Sequence, residues 1–308
     1  MQLPERIIRV GADALTPLLS VLTPFHRDDP SKLIAALGAA PAGVEFVMLD
    51  DGSRDVQLLN RVVTATATLA APVRIIVRDK NAGRAAARNR LIAEARGRYV
   101  LFLDADMIPD QPDFLARWLR LIERKRPLAA FGGLSVAQIK PTRETALHYN
   151  LFAHSDCAPA KERAKRPAQT TASANLLVRR AVFRRMPFDA AFKGWGFEDT
   201  DWALRISRHT RILHINNPAT HAGLDTVETL LRKSAEAGPN FARLVENHPV
   251  DAKRFAAYRA ARALKRTPAR SVVRALAASI ARSKAAPMSA RRAALKIYRA
   301  AHYAEHLS

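Results

Sequence analysis

The sequence predicts an α/β protein: a mixed, mainly parallel sheet with flanking helices, followed by a basic helical extension. Three observations predict it. Short apolar runs alternate with helical patterns from Leu18 to Asp104, as repeated strand–helix–strand units do. Polar clusters stand directly after several of those runs, and open parallel sheets bind ligands beyond the carboxyl ends of their strands. Beyond about Pro249 the composition turns to alanine and arginine, broken at Pro268 and Pro287.

The elements follow in order. Leu18–Thr23 is a short apolar strand. Asp29 caps a helix with Pro30 at its first position and Leu33, Ile34 and Leu37 on one face. Val44–Leu49 is a second strand, and it runs into the turn formers Asp50, Asp51, Gly52 and Ser53. Val73–Val77 is a third. Arg84–Arg96 is alanine-rich and helical, with Gly97 placed to end it. Tyr99–Asp104 is apolar until its last residue, which suits a strand covered on both faces. Leu128–Gly133, Ser173–Val178 and Ile212–Ile215 read as further strands, and Thr142–His154 and Thr226–Glu246 as helices. Ser155–Gln169, with Pro159 and Pro167, reads as a mobile loop. Gly194–Ile206 is a glycine-rich loop entering a helix. The expected organisation is a lead-in over 1–16, an α/β domain over 17–250 and a tail over 251–308. That tail would form two or three amphipathic helices, one with Val272, Val273, Leu276 and Ile280 on a common face.

Charge narrows the partners. The net charge is +22 over 308 residues, and Ala252–Ser308 holds fourteen Lys or Arg against one acid, Glu305. Such asymmetry points to anionic partners: phospholipid, nucleotide, polyanionic glycan or nucleic acid. Aromatic residues scarcely interleave with the basic ones, so no specific nucleic acid is expected, although a nucleic-acid-binding tail is the reading from a different class. An anionic membrane surface is the candidate partner of residues 252–308. Cys157 is the single cysteine. It cannot form an internal disulfide, it suits a reducing compartment, and it carries no nucleophile signature. No apolar run approaches the roughly 20 residues of a membrane span. The N-terminal MQLPERIIRVG lacks a signal-peptide pattern. The expectation is a cytoplasmic protein, peripheral at most on the inner face of the membrane.

Four motifs carry chemistry. Asp104-Ala105-Asp106 follows an apolar strand; it is either an aspartate-rich turn or a pair of hard oxygen ligands for a cation bridging a diphosphate. Asp50-Asp51-Gly52-Ser53 is either turn chemistry or a carboxylate for a base or ribose. Asn81-Ala82-Gly83-Arg84, with Arg88-Asn89, opens a helix whose N-terminus favours phosphate oxygens, or else is an exposed basic face. Gly194-Trp195-Gly196-Phe197-Glu198-Asp199-Thr200-Asp201 joins flexible backbone, a flat ring for a sugar and carboxylates at a helix start. An acidic cap beside a core tryptophan accounts for its residues singly, not for the cluster.

Taken in chain order, with Thr23-Pro24-Phe25-His26-Arg27 first, then Asp50–Ser53, Asn81–Arg84, Asp104–Asp106 and Gly194–Asp201, these motifs resemble a family-2 glycosyltransferase of the GT-A fold over about residues 17–235. The segment Gly194–Asp201 also resembles bacterial chondroitin polymerases and β-1,4-galactosyltransferases. The resemblance implies an inverting enzyme that moves sugar from a nucleotide diphosphate sugar, UDP-sugar first, to a glycan or lipid-linked acceptor. It implies that Pro24, Phe25 and Arg27 border the nucleotide and that Asp51 meets the base. Arg84 would lie near the diphosphate, Asp104 near ribose or metal, and Asp106 and His221 on the metal. Trp195, Glu198 and Asn175 would hold acceptor or sugar, and Asp199 would be the general base. A carboxylate and imidazole site favours Mn²⁺, with Mg²⁺ second. Phe197 departs from the galactosyltransferases, which carry glycine there. A nucleotidyltransferase is the alternative enzyme, though it has no need of the Trp195–Asp201 cluster.

Overall fold

The computed structural model describes residues 4–11 and 16–308. Its strands are β1 (Glu5–Val10), β2 (Leu19–Phe25), β3 (Val44–Asp50), β4 (Val73–Arg78), β5 (Tyr99–Leu103), β6 (Met107–Pro109), β7 (Ala129–Phe131), β8 (Leu134–Ser135), β9 (Asn175–Arg179), β10 (Ile212–His214) and β11 (Ala219–His221). Its helices are α1 (Ser31–Leu37), α2 (Val56–Thr66), α3 (Arg84–Glu94), α4 (Phe114–Lys125), α5 (Ala146–Ser155), α6 (Ala160–Arg163), α7 (Arg180–Arg185), α8 (Glu198–Ser207), α9 (Val227–Glu236), α10 (Gly238–Asn247), α11 (Pro249–Ala252), α12 (Ala256–Lys265), α13 (Arg270–Arg282) and α14 (Met288–His306). The chain divides into two compact units: Met1–Ile139 with Asp156–Ala190 and Trp202–Gly223, and Lys140–Ser155 with Ala191–Asp201 and Leu224–Ser308.

The first unit holds both sheets. The larger has the order β1-β4-β3-β2-β5-β9-β7-β10. Strands β4, β3, β2 and β5 are parallel, and their apolar runs are buried on both faces. The chain adds β3 and β4 on one side of β2, then crosses to place β5 on the other. The order reverses between β2 and β5, which opens a crevice at their carboxyl ends. β9 runs antiparallel to β5 and to β7, so the sheet is mixed.

The expected lead-in contains strand β1, antiparallel to β4 at the sheet edge. Its residues, Glu-Arg-Ile-Ile-Arg-Val, carry too little apolar alternation to stand out as a strand. A smaller sheet, β6-β11-β8, was also absent from the sequence reading. Strands of two or three residues show no period to detect.

At the amino ends of the parallel strands lies a buried charge network. Glu45 pairs with Arg74 at 2.9 Å, both nearly without solvent exposure. Arg74 also reaches Glu94 at 3.1 Å. The second Glu45 oxygen accepts from Ser20 Oγ at 2.6 Å and from Arg96 N at 2.7 Å. These bonds tie β2, β3, β4 and the end of α3 together at the edge away from the polar loops.

The expected mobile loop, Ser155–Gln169, is structured. It contains α6 and a 3₁₀ turn at Pro167–Thr170. Arg163 organises it: the buried guanidinium donates to the carbonyls of Ala158, Gly132 and Ile215 at 2.8, 3.2 and 2.7 Å. Burial lowers the Arg163 pKa to about 10. The prolines and charges of this segment read as disorder only because two of the carbonyls that receive Arg163, those of Gly132 and Ile215, are distant in sequence. Cys157 is half-buried in the same segment. Its thiol is pushed up to about 12 by burial and by the charges of Asp156 and Asp110, so it stays protonated.

The second unit is helical. One core joins Leu147 and Leu151 of α5, Leu230 and Leu231 of α9, Ala277, Ala278 and Ala281 of α13, and Ala294 and Leu295 of α14. Another joins Phe241, Ala261, Tyr303 and Leu307, with Trp195 and Phe197 packed against it. The expected helix Thr226–Glu246 is two helices that break at Ala237, where Pro239 opens α10. Residues 251–308 therefore do not stand apart as a tail. They share both cores with earlier segments.

Truncating a buried ion pair leaves a charge without its partner, which costs about 3–5 kcal/mol. Glu45→Ala is expected near the lower end, because Glu94 still faces Arg74. The midpoint of denaturant unfolding followed by circular dichroism measures it, and an unchanged midpoint would show the network to be dispensable.

Candidate functional site

Three loops of the first unit converge beyond β2, β3 and β4. Asp51 anchors them. Its carboxylate is buried and accepts from Arg78 Nη1 at 3.2 Å, from Ala82 N at 3.1 Å through both oxygens, and from Gly83 N at 3.0 Å. Asp51 was expected to meet a base. Its lone pairs are instead spent on the loop that starts α3. Gly52 has φ +82°, and a β-carbon there would stand 2.6 Å from Asn81 N, so only glycine lets the two loops close. Asp50 holds the turn by accepting from Ser53 N at 2.8 Å, and Ser53 Oγ accepts from Arg27 N at 2.8 Å. Arg27 itself has φ +63°, a strained backbone for a non-glycine residue, of the kind that gathers at ligand sites. Its side chain is exposed, Pro24 is half-buried and Phe25 is buried.

Helix α3 and strand β5 meet at Asp104. Arg88, 1% exposed, donates to Asp104 Oδ1 at 2.7 Å, and Arg84 lies 3.7 Å from Oδ2. Asp104 is thus engaged by two guanidinium groups. Arg84 is far more exposed than Arg88, so it presents charge to solvent beside the crevice.

Asp106 has a different partner. Pairing of β6 with β11 sets His221 opposite Met107 and brings His221 Nε2 to 3.2 Å from Asp106 Oδ2. Burial tends to raise the Asp106 pKa, but the His221 hydrogen bond and charge, with Arg84 beyond, hold it below the ordinary value of 3.8. Gly223 makes room: a β-carbon at that position would lie 2.0 Å from Asp106 Oδ2. Two adjacent ligands of an octahedral cation, each about 2.1 Å from it, stand about 3 Å apart. The Asp106–His221 spacing therefore fits two positions of a divalent cation. Among the described residues no group of three or more His, Cys, Asp or Glu converges on one point. Further ligands would come from water or from substrate oxygens.

Asn175, expected at the acceptor, lies in the framework. It is fully buried at the start of β9, and its amide donates to the carbonyls of Gly133 and Asn217, both at 2.8 Å. That leaves no surface for a sugar to touch.

In the second unit, Gly194, Gly196 and Phe197 all have positive φ, at 74°, 94° and 74°. Asn240 holds this loop by donating to the carbonyls of Lys193 and Gly196 at 2.8 and 3.0 Å. The left-handed backbone at Phe197 is one that glycine adopts at less cost. Phe197 adopts it while packing on Phe241 and Tyr303, with ring centroids 5.3 and 5.8 Å away. Trp195 is half-buried, with the Lys233 ammonium 6.0 Å from its ring centroid. Lys233 is itself fixed by Asp225 at 2.8 Å.

The carboxylates of α8 differ sharply. Asp201 is fully buried, bonded to His248 Nε2 at 2.9 Å and to Asn247 Nδ2 at 3.2 Å. Glu198 is also buried. Asp199 is half-buried, with Oδ1 accepting from Thr200 N at 2.8 Å. Of the three, Asp199 is the most open to a ligand. Sequence reasoning missed Gly223 and Asn240, which position other groups. Neither lies in a motif, and only strand pairing or helix packing reveals what each adjoins.

The first unit is thus an open α/β sheet with a polar crevice at its switch point, the architecture of nucleotide-binding enzymes. The chain belongs to glycosyl transferase family 2, whose family model matches residues 20–186, more than half of it. A stretch of 105 residues is 29% identical to an uncharacterized glycosyltransferase of Haemophilus influenzae, covering 32% of this chain and 38% of that protein. Another of 121 residues is 32% identical to dodecaprenyl-phosphate galacturonate synthase of Rhizobium johnstonii, covering 37% and 35%. The chain thus spans little more than a third of these curated relatives. Its fold is similar to that of mannosyltransferase PcManGT from Pyrobaculum calidifontis, solved in complex with GDP-Man and Mn²⁺ (TM-score 0.57, 17% identity, 94% of this chain and 87% of that one). It is also similar to S. aureus TarS 1-349 (TM-score 0.50, 16% identity, 92% and 90%). At these identities the likeness is one of fold.

The Gly223 contact gives a test that needs no substrate. Gly223→Ala is expected to push Asp106 off His221 and let its carboxyl pKa rise toward 3.8. A ¹³C-detected carboxyl titration would follow it, and an unmoved Asp106 resonance would contradict the packing described.

Proposed function

We propose that this protein is an inverting, cation-assisted glycosyltransferase that moves a hexosyl or N-acetylhexosaminyl group from a nucleotide diphosphate sugar to an acceptor hydroxyl. The observation that carries this reading is the Asp106–His221 pair, 3.2 Å apart, in a family 2 chain whose Arg84 stands exposed beside the same crevice. Arg84 and the amino end of α3 meet the diphosphate, as helix starts and guanidinium groups do. Pro24, Phe25 and Arg27 border the nucleoside. Asp51 acts on it through the loop 81–83 that it anchors. Asp106 and His221 hold a divalent cation, Mn²⁺ first and Mg²⁺ second, with Asp104 next to it. The cation supplies Lewis-acid stabilisation of the departing diphosphate.

The residues then divide the reaction. Asp199 takes the proton of the acceptor hydroxyl. The acceptor oxygen forms its bond to the anomeric carbon from the face opposite the nucleotide. The bond from that carbon to the diphosphate oxygen breaks, and its electron pair leaves with the nucleoside diphosphate. Glu198 and Trp195 position the acceptor. A single displacement inverts the anomeric centre and needs no enzyme nucleophile.

The donor is proposed to be a UDP-sugar, although PcManGT is named with GDP-Man. The acceptor is a glycan or lipid-linked carrier in cell-surface polysaccharide or glycoconjugate synthesis. A relative named for dodecaprenyl phosphate supports the lipid-linked choice. Among the described residues no helix is long and apolar enough to cross a membrane. The enzyme is proposed to work in the cytoplasm or peripherally on the inner membrane face. The nucleotidyltransferase alternative is not favoured, given the family match.

Release of free nucleoside diphosphate from a panel of UDP- and GDP-sugars tests the reaction class. Pyrophosphate release instead would overturn it. Asp106→Ala is expected to abolish transfer, because the cation loses an oxygen ligand. Full activity of that variant in chelator would exclude the cation. Asp199→Asn is expected to keep donor affinity and to lower turnover by about 10²–10⁴-fold, the usual worth of a general base. Turnover like the parent's would move the base elsewhere, and Glu198 is the next candidate.

A further inference from the structure

Helix α13 is inverted relative to an ordinary surface helix. The side that packs into the second unit is Ala277, Ala278 and Ala281. Three of its four large apolar residues face outward instead, and the fourth, Val273, is half-buried. Val272, Leu276 and Ile280, spaced four apart, are 57%, 59% and 43% exposed. The residues between them on that face are Ser271, Ala275 and Ser279, all exposed and uncharged. Arginines of the same helix turn to acids of the protein: Arg270 and Arg274 to Glu305, and Arg282 to Glu228. The result is an apolar stripe with no charge from Ser271 to Ile280. A helix that lies on a protein core buries its largest apolar side chains; this one buries alanines and presents Val272, Leu276 and Ile280 to solvent, with Val273 half-buried.

The charge of the segment that carries the stripe indicates what covers it. Lys253, Arg266, Arg292 and Lys296 make no ion pair among the described residues. Residues 252–308 carry a net +13. A second copy of the chain would set that charge against its own kind, which opposes association. An anionic lipid surface attracts it. An apolar helical stripe in a strongly basic unit, with no spanning helix, has the composition of an interfacial helix. Each basic residue near such a surface adds to the attraction, and the attraction is screened by salt.

We infer that the outward face of α13 docks on an anionic lipid bilayer, with Val272, Leu276 and Ile280 entering the boundary between headgroups and acyl chains. The inference deepens the proposed function by naming the contact through which the enzyme meets its membrane, and it rests on that reading only for its purpose. Its test involves no sugar transfer, so either can fail alone.

The full chain is sedimented with vesicles of phosphatidylcholine containing phosphatidylglycerol and with vesicles of phosphatidylcholine alone, at low and high salt. The parent is expected to bind the anionic vesicles at low salt and to be released by high salt. The triple variant Val272→Asp, Leu276→Asp, Ile280→Asp is expected to bind about tenfold less or weaker still, since apolar burial and charge act together. Val250→Asp, at an exposed apolar residue outside the stripe, is expected to bind as the parent does. Thermal melting checks that the variants fold. A single Leu276→Trp variant reports insertion independently, through a blue shift of the emission it adds over the parent's when anionic vesicles are present. Parent-like binding by the triple variant would overturn the inference, as would no added shift at Trp in position 276. A lipid-independent dimer that the triple variant abolishes, with no vesicle binding by the parent, would assign the stripe to self-association and overturn it too.

Discussion

The geometry of the crevice depends on one part-buried ion pair, Arg88 with Asp104. A guanidinium at 1% exposure has lost nearly all its water, and only a close carboxylate offsets that loss. Asp104 lies just past β5 and Arg88 lies in α3, which follows β4. Their 2.7 Å bond therefore joins the two sides of the strand-order reversal. With Asp104 held, the chain turns directly into Asp106 and β6. The pairing of β6 with β11 then delivers His221. Loss of the Arg88 charge would leave Asp104 with Arg84 alone, 3.7 Å away and largely exposed.

Burial sorts the acids into two kinds. Asp51 and Asp201 are buried and fully occupied, one by backbone amides and Arg78, the other by His248 and Asn247. Each makes its neighbouring loop rigid. Asp106 and Asp199 stand in similar motifs but keep access to solvent. The same side chain thus serves as a fastener in one place and as a candidate for chemistry in another, according to how many donors the fold supplies.

Much of this was legible in the sequence. The apolar runs Leu18–Thr23, Val44–Leu49, Val73–Val77 and Tyr99–Asp104 marked the four central strands, because a strand buried on both faces is mostly apolar, and its few polar residues, Ser20, Glu45 and Arg74, pair with one another inside. Their polar ends marked the crevice. What stayed hidden depends on contacts distant in sequence. Nothing local says that Asn175 is walled in by Gly133 and Asn217, or that Arg163 fastens a segment rich in proline and charge. The common apolar face of α13 was visible as a pattern, but its direction was not. Periodicity finds the stripe, and only packing shows that the alanines face inward.

The crevice beyond β2 and β5 is proposed to bind a nucleoside diphosphate together with a divalent cation. Calorimetric titration of UDP, and separately of GDP, into the full chain with Mn²⁺ present and then with chelator tests it directly. One nucleotide is expected to bind at a single site with Mn²⁺ and to lose most of its affinity in chelator. Absence of binding for both nucleotides, or binding of equal strength with and without the cation, would contradict it.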